Sequence, residues 1–126
     1  MNTMADYGIT INRLGMSGLL FWFGAQQLLH AADWTGYVPP EVVALSGISA
    51  HTIVLANGSA ELACAALLLL GVFTRVVAFV MAVHLAAIAY SLGNTPVGIR
   101  DWGLAAAMVS LVFTGAGAFA FDKDGR

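Results

Sequence analysis

Four long apolar stretches, each closed by polar turn residues, organise the chain; they cover about 8–30, 50–73, 75–92 and 99–120. Each has about 20 residues or slightly fewer, enough for a helix to cross a hydrocarbon core of roughly 30 Å. None alternates as a barrel strand does, and backbone groups in lipid then leave the helix as the way to bond internally. The first and second stretches are joined by the longest connection, 31–49, which carries Trp34, Tyr37, Pro39, Pro40 and Glu41. The proline pair breaks helix, the two aromatics suit the headgroup level, and Val42 to Leu45 adds a short interfacial helix. Tight turns are expected at Gly71–Arg75 and at Gly93–Pro96. The pattern predicts an all-α polytopic membrane protein, a four-transmembrane-helix up-down-up-down bundle, in one domain over 1–126.

Composition agrees. Sixty per cent of the 126 residues are hydrophobic and ten per cent are charged, and the mean hydropathy is +0.84. A soluble domain carries about 25% charged residues, and one this small exposes too much surface to cover with so few. The net charge of -2, with no basic patch, excludes nucleic acid as a partner. Cys64 is the only cysteine, so neither an internal disulfide nor a C-x-x-C pair is available; it reads as a small core residue. Asp6 stands where a signal peptide has positive charge, and no A-x-A site follows the first stretch. That stretch is therefore expected to remain a membrane helix. Its Gly15, Ser17, Gly18 and Gly24 allow close helix approach. Arg13 is expected to snorkel to the interface, and Phe21, Trp22 and Phe23 to face lipid or pack.

Charge sets orientation. Arg13, Arg75, Lys123 and Arg126 fall on one side of the threaded bundle and Arg100 on the other. The excess of cations inside places both termini in the cytoplasm of a cell (inner or plasma) membrane protein. The tail from Phe121 to Arg126 is expected to be solvated.

One acid is out of place. Between Glu41 and Arg75 the only charged side chain is Glu61. A carboxylate in such a run faces the protein interior and needs a partner there. Threading the helices brings polar groups from all four stretches into the same half of the bilayer: Gln26, Gln27, His30, Asn57, Glu61, His84 and Arg100. These are the candidate ligand-binding residues, with Glu61 and His84 as candidate proton exchangers. Asn57 and Glu61 share a helical face, as do Gln26 and His30. Glu61 either stays ionised against Arg100 or carries its proton, with His84 as donor in both cases. The alternative is a plain bundle clasp, with His84 a satisfied interior histidine. Asp101 reads as a first-turn acid against the helix dipole. His30, Glu61 and His84 are metal-ligand types, yet no H-x-x-x-H or E-x-x-H spacing accompanies them, and no metal site is expected.

These residues resemble the DoxX family of DoxX/DoxD-like small membrane proteins. The resemblance runs from Arg13 to about Phe119. It rests on Arg13-Leu-Gly, on Phe23-Gly-Ala-Gln-Gln27-Leu28, on Glu61 followed ten residues later by Gly71 and then Thr74-Arg75, and on Arg100-Asp101. The family pattern often carries a lysine where Gln27 stands, which leaves Arg100 as the expected partner of Glu61. The resemblance implies a membrane subunit akin to those of thiosulfate:quinone oxidoreductase or a terminal quinol oxidase. The helix outline is also similar to vitamin K epoxide reductase, without its C-x-x-C. The expected function is an accessory or quinone-interacting subunit of a membrane redox system. Its cofactor set is none covalent, with quinone as ligand. Its partners are the lipid bilayer and a homo-oligomer or a hetero-complex with redox subunits. No flavin motif, haem-ligand pair or cluster cysteines occur, so electrons come from a partner. A structural or assembly subunit, or transport of a proton or small solute, are the competing readings.

Overall fold

The computed structural model describes residues 1–123. The described residues are all-helical, with no strand. Four long helices form the body: α1 (Met4–Leu29), α4 (Ala50–Leu70), α5 (Thr74–Leu92) and α6 (Pro96–Thr114). Two short helices, α2 (Ala31–Trp34) and α3 (Pro40–Ser46), lie in the first connection with a 3-10 turn at Thr35–Tyr37. Three helices, α4, α5 and α6, are long and apolar enough to cross a membrane. The four spans expected from the sequence are thus three by this measure. α1 has the length, at 26 residues, but Asn12, Arg13, Gln26 and Gln27 dilute its apolar character.

Local signals set the helix limits. Thr3 and Asp6 form a capping box at α1: the Thr3 hydroxyl accepts from the Asp6 N–H at 3.2 Å, and the Asp6 carboxylate accepts from the Thr3 N–H at 2.7 Å. Ser49 caps α4, and Thr95 with Pro96 opens α6. α6 stops at Thr114, short of the expected limit near 120, because Gly115 leaves helical geometry. Gly117 (φ +73) then turns the chain against α1, where an added Cβ would lie 2.7 Å from the Asp6 carbonyl oxygen.

α1 packs along α4 and α5 along α6, and the two pairs meet across a shared core. Met16, Leu20, Ala65, Leu68, Met81, Leu85, Met108 and Leu111 fill it. Polar groups occupy both ends.

At one end Arg13 does not snorkel. It is 0% exposed. Its Nε donates to the Ala116 carbonyl (2.8 Å), Nη1 to Leu68 and Leu69 (2.7 and 2.8 Å), and Nη2 to Ala118 and Phe119 (3.0 and 2.9 Å). All five guanidinium N–H groups are thereby used. Leu68 and Leu69 lie in the last turn of α4, where carbonyls lack helical partners and the dipole is negative. The tail after α6 supplies the other three carbonyls. A flexible, extended arginine would solvate its charge in the headgroups, but here five carbonyls take the place of that solvation; Leu68 and Ala118 also accept from the Gly71 N–H and the Thr10 hydroxyl.

The start of the tail is pinned as well. The Asp122 carboxylate accepts from the Phe73 and Thr74 amides at 2.8 and 2.7 Å, at the N-terminus of α5. Burial pushes its carboxyl upward, but those amides and the nearby Arg13 charge outweigh this and hold it below the usual aspartate range. The tail expected to be solvated is thus tied down at its start by the backbone N–H groups of Phe121 and Asp122, which bond the Leu70 and Gly71 carbonyls, while the Phe121 side chain is exposed as expected. Arg126, counted in the orientation argument, lies outside the described residues.

Candidate functional site

The opposite end is built on a close helix crossing. An added Cβ at Gly24 would sit 2.8 Å from the Gly58 carbonyl oxygen, and one at Gly58 would sit 2.9 Å from that of Gly24. Only two glycines let α1 and α4 approach so nearly. Three residues further along each helix stand Gln27 and Glu61. The crossing thus delivers an amide to a carboxylate.

The resulting network is tight. Gln27 Nε2 donates to Glu61 Oε2 at 2.8 Å and to the Phe23 carbonyl at 3.1 Å. Asn57 Nδ2 donates to Gln27 Oε1 at 2.5 Å and to Glu61 Oε1 at 3.1 Å. Both carboxylate oxygens are held, and Gln27 and Glu61 are buried. His84 approaches from α5. Its Nε2 lies 3.9 Å from Glu61 Oε1, beyond hydrogen-bond reach. That nitrogen is buried and has no hydrogen-bond partner among the described residues.

Arg100 does not meet Glu61. Its Nε and Nη2 donate to Asp101 Oδ1 at 3.0 and 2.8 Å, and its guanidinium carbon lies 4.7 Å from the centre of the Phe23 ring. The expected Glu61–Arg100 pair is replaced because a carboxylate one residue away reaches the guanidinium first, while Gln27 and Asn57 already occupy Glu61. Phe23 meets Trp34 edge to face at 5.8 Å, and Trp34 meets Tyr37 at 5.5 Å. These rings tie the first connection to the mouth of the site.

Between the helix pairs is a cavity of about 400 Å³. Met16, Leu20, Val54, Leu85 and Leu104 give it apolar walls, and Gln27, Asn57, Glu61, His84, Arg100 and Asp101 give it a polar end. Pockets for small molecules run from about 300 to 1,000 Å³ with few placed polar groups, and this one fits that description.

Five of the seven sequence candidates thus line one cavity. Gln26 and His30 do not. Gln26 is half-buried on a different face of α1 from its neighbour Gln27, and His30 is exposed at the end of α1. A His30–Glu61–His84 triplet is not assembled. Asp101 was missed as a site residue. It is buried, on the same α6 face as Ala105, Met108 and Leu111, and that spacing is the signal that would have found it.

A family model described as DoxX matches residues 8–94. The match covers more than half of the chain, including Glu61 and His84, and stops before Arg100 and Asp101. No curated protein and no solved structure gives a significant match.

Proposed function

We propose that this chain, which belongs to the DoxX family, is a membrane redox accessory subunit that binds a quinone-type head group in the cavity beside Glu61. The reading includes a fourth span, α1. Its polar residues are satisfied inside the bundle: Asn12 donates to the Ala107 carbonyl at 3.2 Å and Ser17 to that of Ala65 at 2.7 Å, beside the Arg13 and Gln27 bonds. A helix so paired tolerates lipid despite a modest mean hydropathy. The inner (plasma) membrane, with both termini cytoplasmic, belongs to the same proposal. Arg13 no longer counts as a surface cation in it, and Arg75 and Lys123 carry the bias.

The observation that carries the ligand reading is the buried His84 Nε2, without a hydrogen-bond partner among the described residues, 3.9 Å from a held carboxylate in the lining of an open cavity. Leaving a buried polar atom unbonded costs about 1–3 kcal/mol. A ring oxygen of a ligand placed there removes that cost. The apolar walls suit a ring and the start of a lipid tail. Electrons come from a partner protein, since the sequence has no redox-centre motif of its own.

The test is direct. Purify the protein in mild detergent, extract it for quinones, and measure thermal unfolding with added short-chain quinones and quinols. The expected result is co-purified quinone or a raised midpoint. Neither extractable quinone nor any shift with either redox form leaves the structural-subunit reading standing instead.

A further inference from the structure

The two helix pairs are tied to each other at the Arg13 end and not at the Glu61 end. We propose that they work as jaws: α1 with α4, and α5 with α6, open and close over the cavity about a hinge at the Arg13 end, and the Arg100–Phe23 contact is the latch. The device goes beyond the ligand reading and does not depend on what the cavity holds.

At the Glu61 end both connections run inside a pair. Residues 30–49 join α1 to α4, and 93–95 join α5 to α6. The first connection packs on α1 and α4, so it travels with that jaw. The turn at 71–73, which passes from one pair to the other, lies at the Arg13 end. The hydrogen bonds that link the pairs gather there too. Asn12 donates to the Ala107 carbonyl, and Thr10 and Arg13 donate to carbonyls of the tail after α6. The Phe121 and Asp122 amides donate to the end of α4. Nearer the Glu61 end, no hydrogen bond among the described residues joins the pairs. Gln27, Asn57 and Glu61 bond within the first pair, and Arg100 bonds its neighbour Asp101.

What meets across the gap is weaker. His84 Nε2 stands 3.9 Å from Glu61 Oε1, and the Arg100 guanidinium carbon stands 4.7 Å from the centre of the Phe23 ring. The Arg100 side chain is 42% exposed, and a cation over a ring in that setting is a light contact. Rigid units with few bonds between them move about the end where they are joined. The lever favours the mouth. Glu61 and His51 lie ten and twenty residues along α4 from Gly71, about 15 and 30 Å at the helical rise. Closing the Glu61–His84 gap by about 1 Å would bring it to hydrogen-bond length. The same rotation moves the His51 end by only about 2 Å.

The experiment measures both ends of the bundle with paired spin labels in a Cys64→Ser background, which removes the one native cysteine. Labels at His51 and Asn94 span the mouth, and labels at Met4 and Phe113 span the hinge; all four positions are exposed. Pulsed electron–electron resonance in lipid nanodiscs gives the two distance distributions. The mouth distribution is expected to be at least twofold wider than the hinge distribution. Phe23→Leu removes the ring under Arg100 and keeps an apolar side chain. It should shift the mouth mean by about 2 Å or more, the reach of the lever, and leave the hinge mean in place. Equal widths at the two ends overturn the jaws, whether both are narrow or both are broad. A Phe23→Leu mean that moves at both ends alike, or at neither, overturns the latch. The widths in the chain that keeps Phe23 decide the jaws even where Phe23→Leu fails to fold.

Discussion

The two polar ends of the bundle use the same materials to opposite effect. At the Arg13 end every guanidinium N–H has a carbonyl, and the tail after α6 closes over it. No polar group of the guanidinium remains to be offered to a ligand. At the Glu61 end the helices hold a carboxylate between two amides, but the buried His84 Nε2 has no hydrogen-bond partner among the described residues, and a cavity lies between the helix pairs. Saturation marks a part whose role is to hold the helices. A buried nitrogen without a partner beside empty volume marks a part kept open at some cost to stability, whereas Thr74 Oγ1, which also lacks a partner among the described residues near the Arg13 end, does not line that cavity.

Substitutions at each end can break that contrast. The largest effect is expected from Arg13→Ala, which removes five bonds from a buried site. A loss of about 3–5 kcal/mol is expected, as for other buried charged groups with one side deleted. Arg13→Lys should recover little, because an ammonium has three donors and cannot span the set. Urea or thermal unfolding in detergent measures both; wild-type stability in Arg13→Ala would end the view of this end as a staple.

Next comes Gly58→Leu. The side chain would meet the Gly24 carbonyl and Gln27, forcing α1 from α4 at a cost of roughly 1–3 kcal/mol. It should also separate Gln27 from Glu61 and abolish ligand binding. Retained binding would show that the crossing does not position the site.

Asp122→Asn should cost at most about 1 kcal/mol, the scale of a lost cap, reduced by solvent screening. The pH dependence has a definite sign. The folded carboxyl lies below its unfolded value, so its stabilisation is full above the ordinary aspartate range and is lost as pH falls through the folded value. The wild type should lose stability in acid more steeply than the variant. Parallel profiles would remove Asp122 from the account.

The smallest stability effect is expected from His84→Phe. It deletes a buried nitrogen that has no bond to lose, so stability should change by within about 1 kcal/mol, or rise. Ligand binding should nonetheless fall at least tenfold. A large destabilisation with unchanged binding would reverse the assignment of this end.

Much of the site could be read along the chain. Asn57 and Glu61 are one turn apart, and the alternating direction of the helices set Gln27 and His84 at the same depth. Arg100 was misread because depth does not choose between a distant carboxylate and an adjacent one; the short reach to Asp101 does. Gln26 was grouped with Gln27 by nearness in sequence, yet neighbours on a helix point about 100° apart. Arg13 misled for another reason. A single cation near a helix start fits the snorkelling rule, and its carbonyl partners lie 55 to 106 residues away.

By itself the sequence determined an all-helical membrane chain, the turns between its helices, and one acid that had to face inward. Those properties follow from transfer free energies and local backbone preferences, which act over a few residues. Which donor meets which acceptor was decided only by the tertiary structure. The Gly24–Gly58 crossing, the fold-back at Gly115 and Gly117, and the gap between the helix pairs are contacts between segments far apart in the chain. A hydrogen bond is set by distances of a few tenths of an ångström, and only the packed helices fix distances that finely.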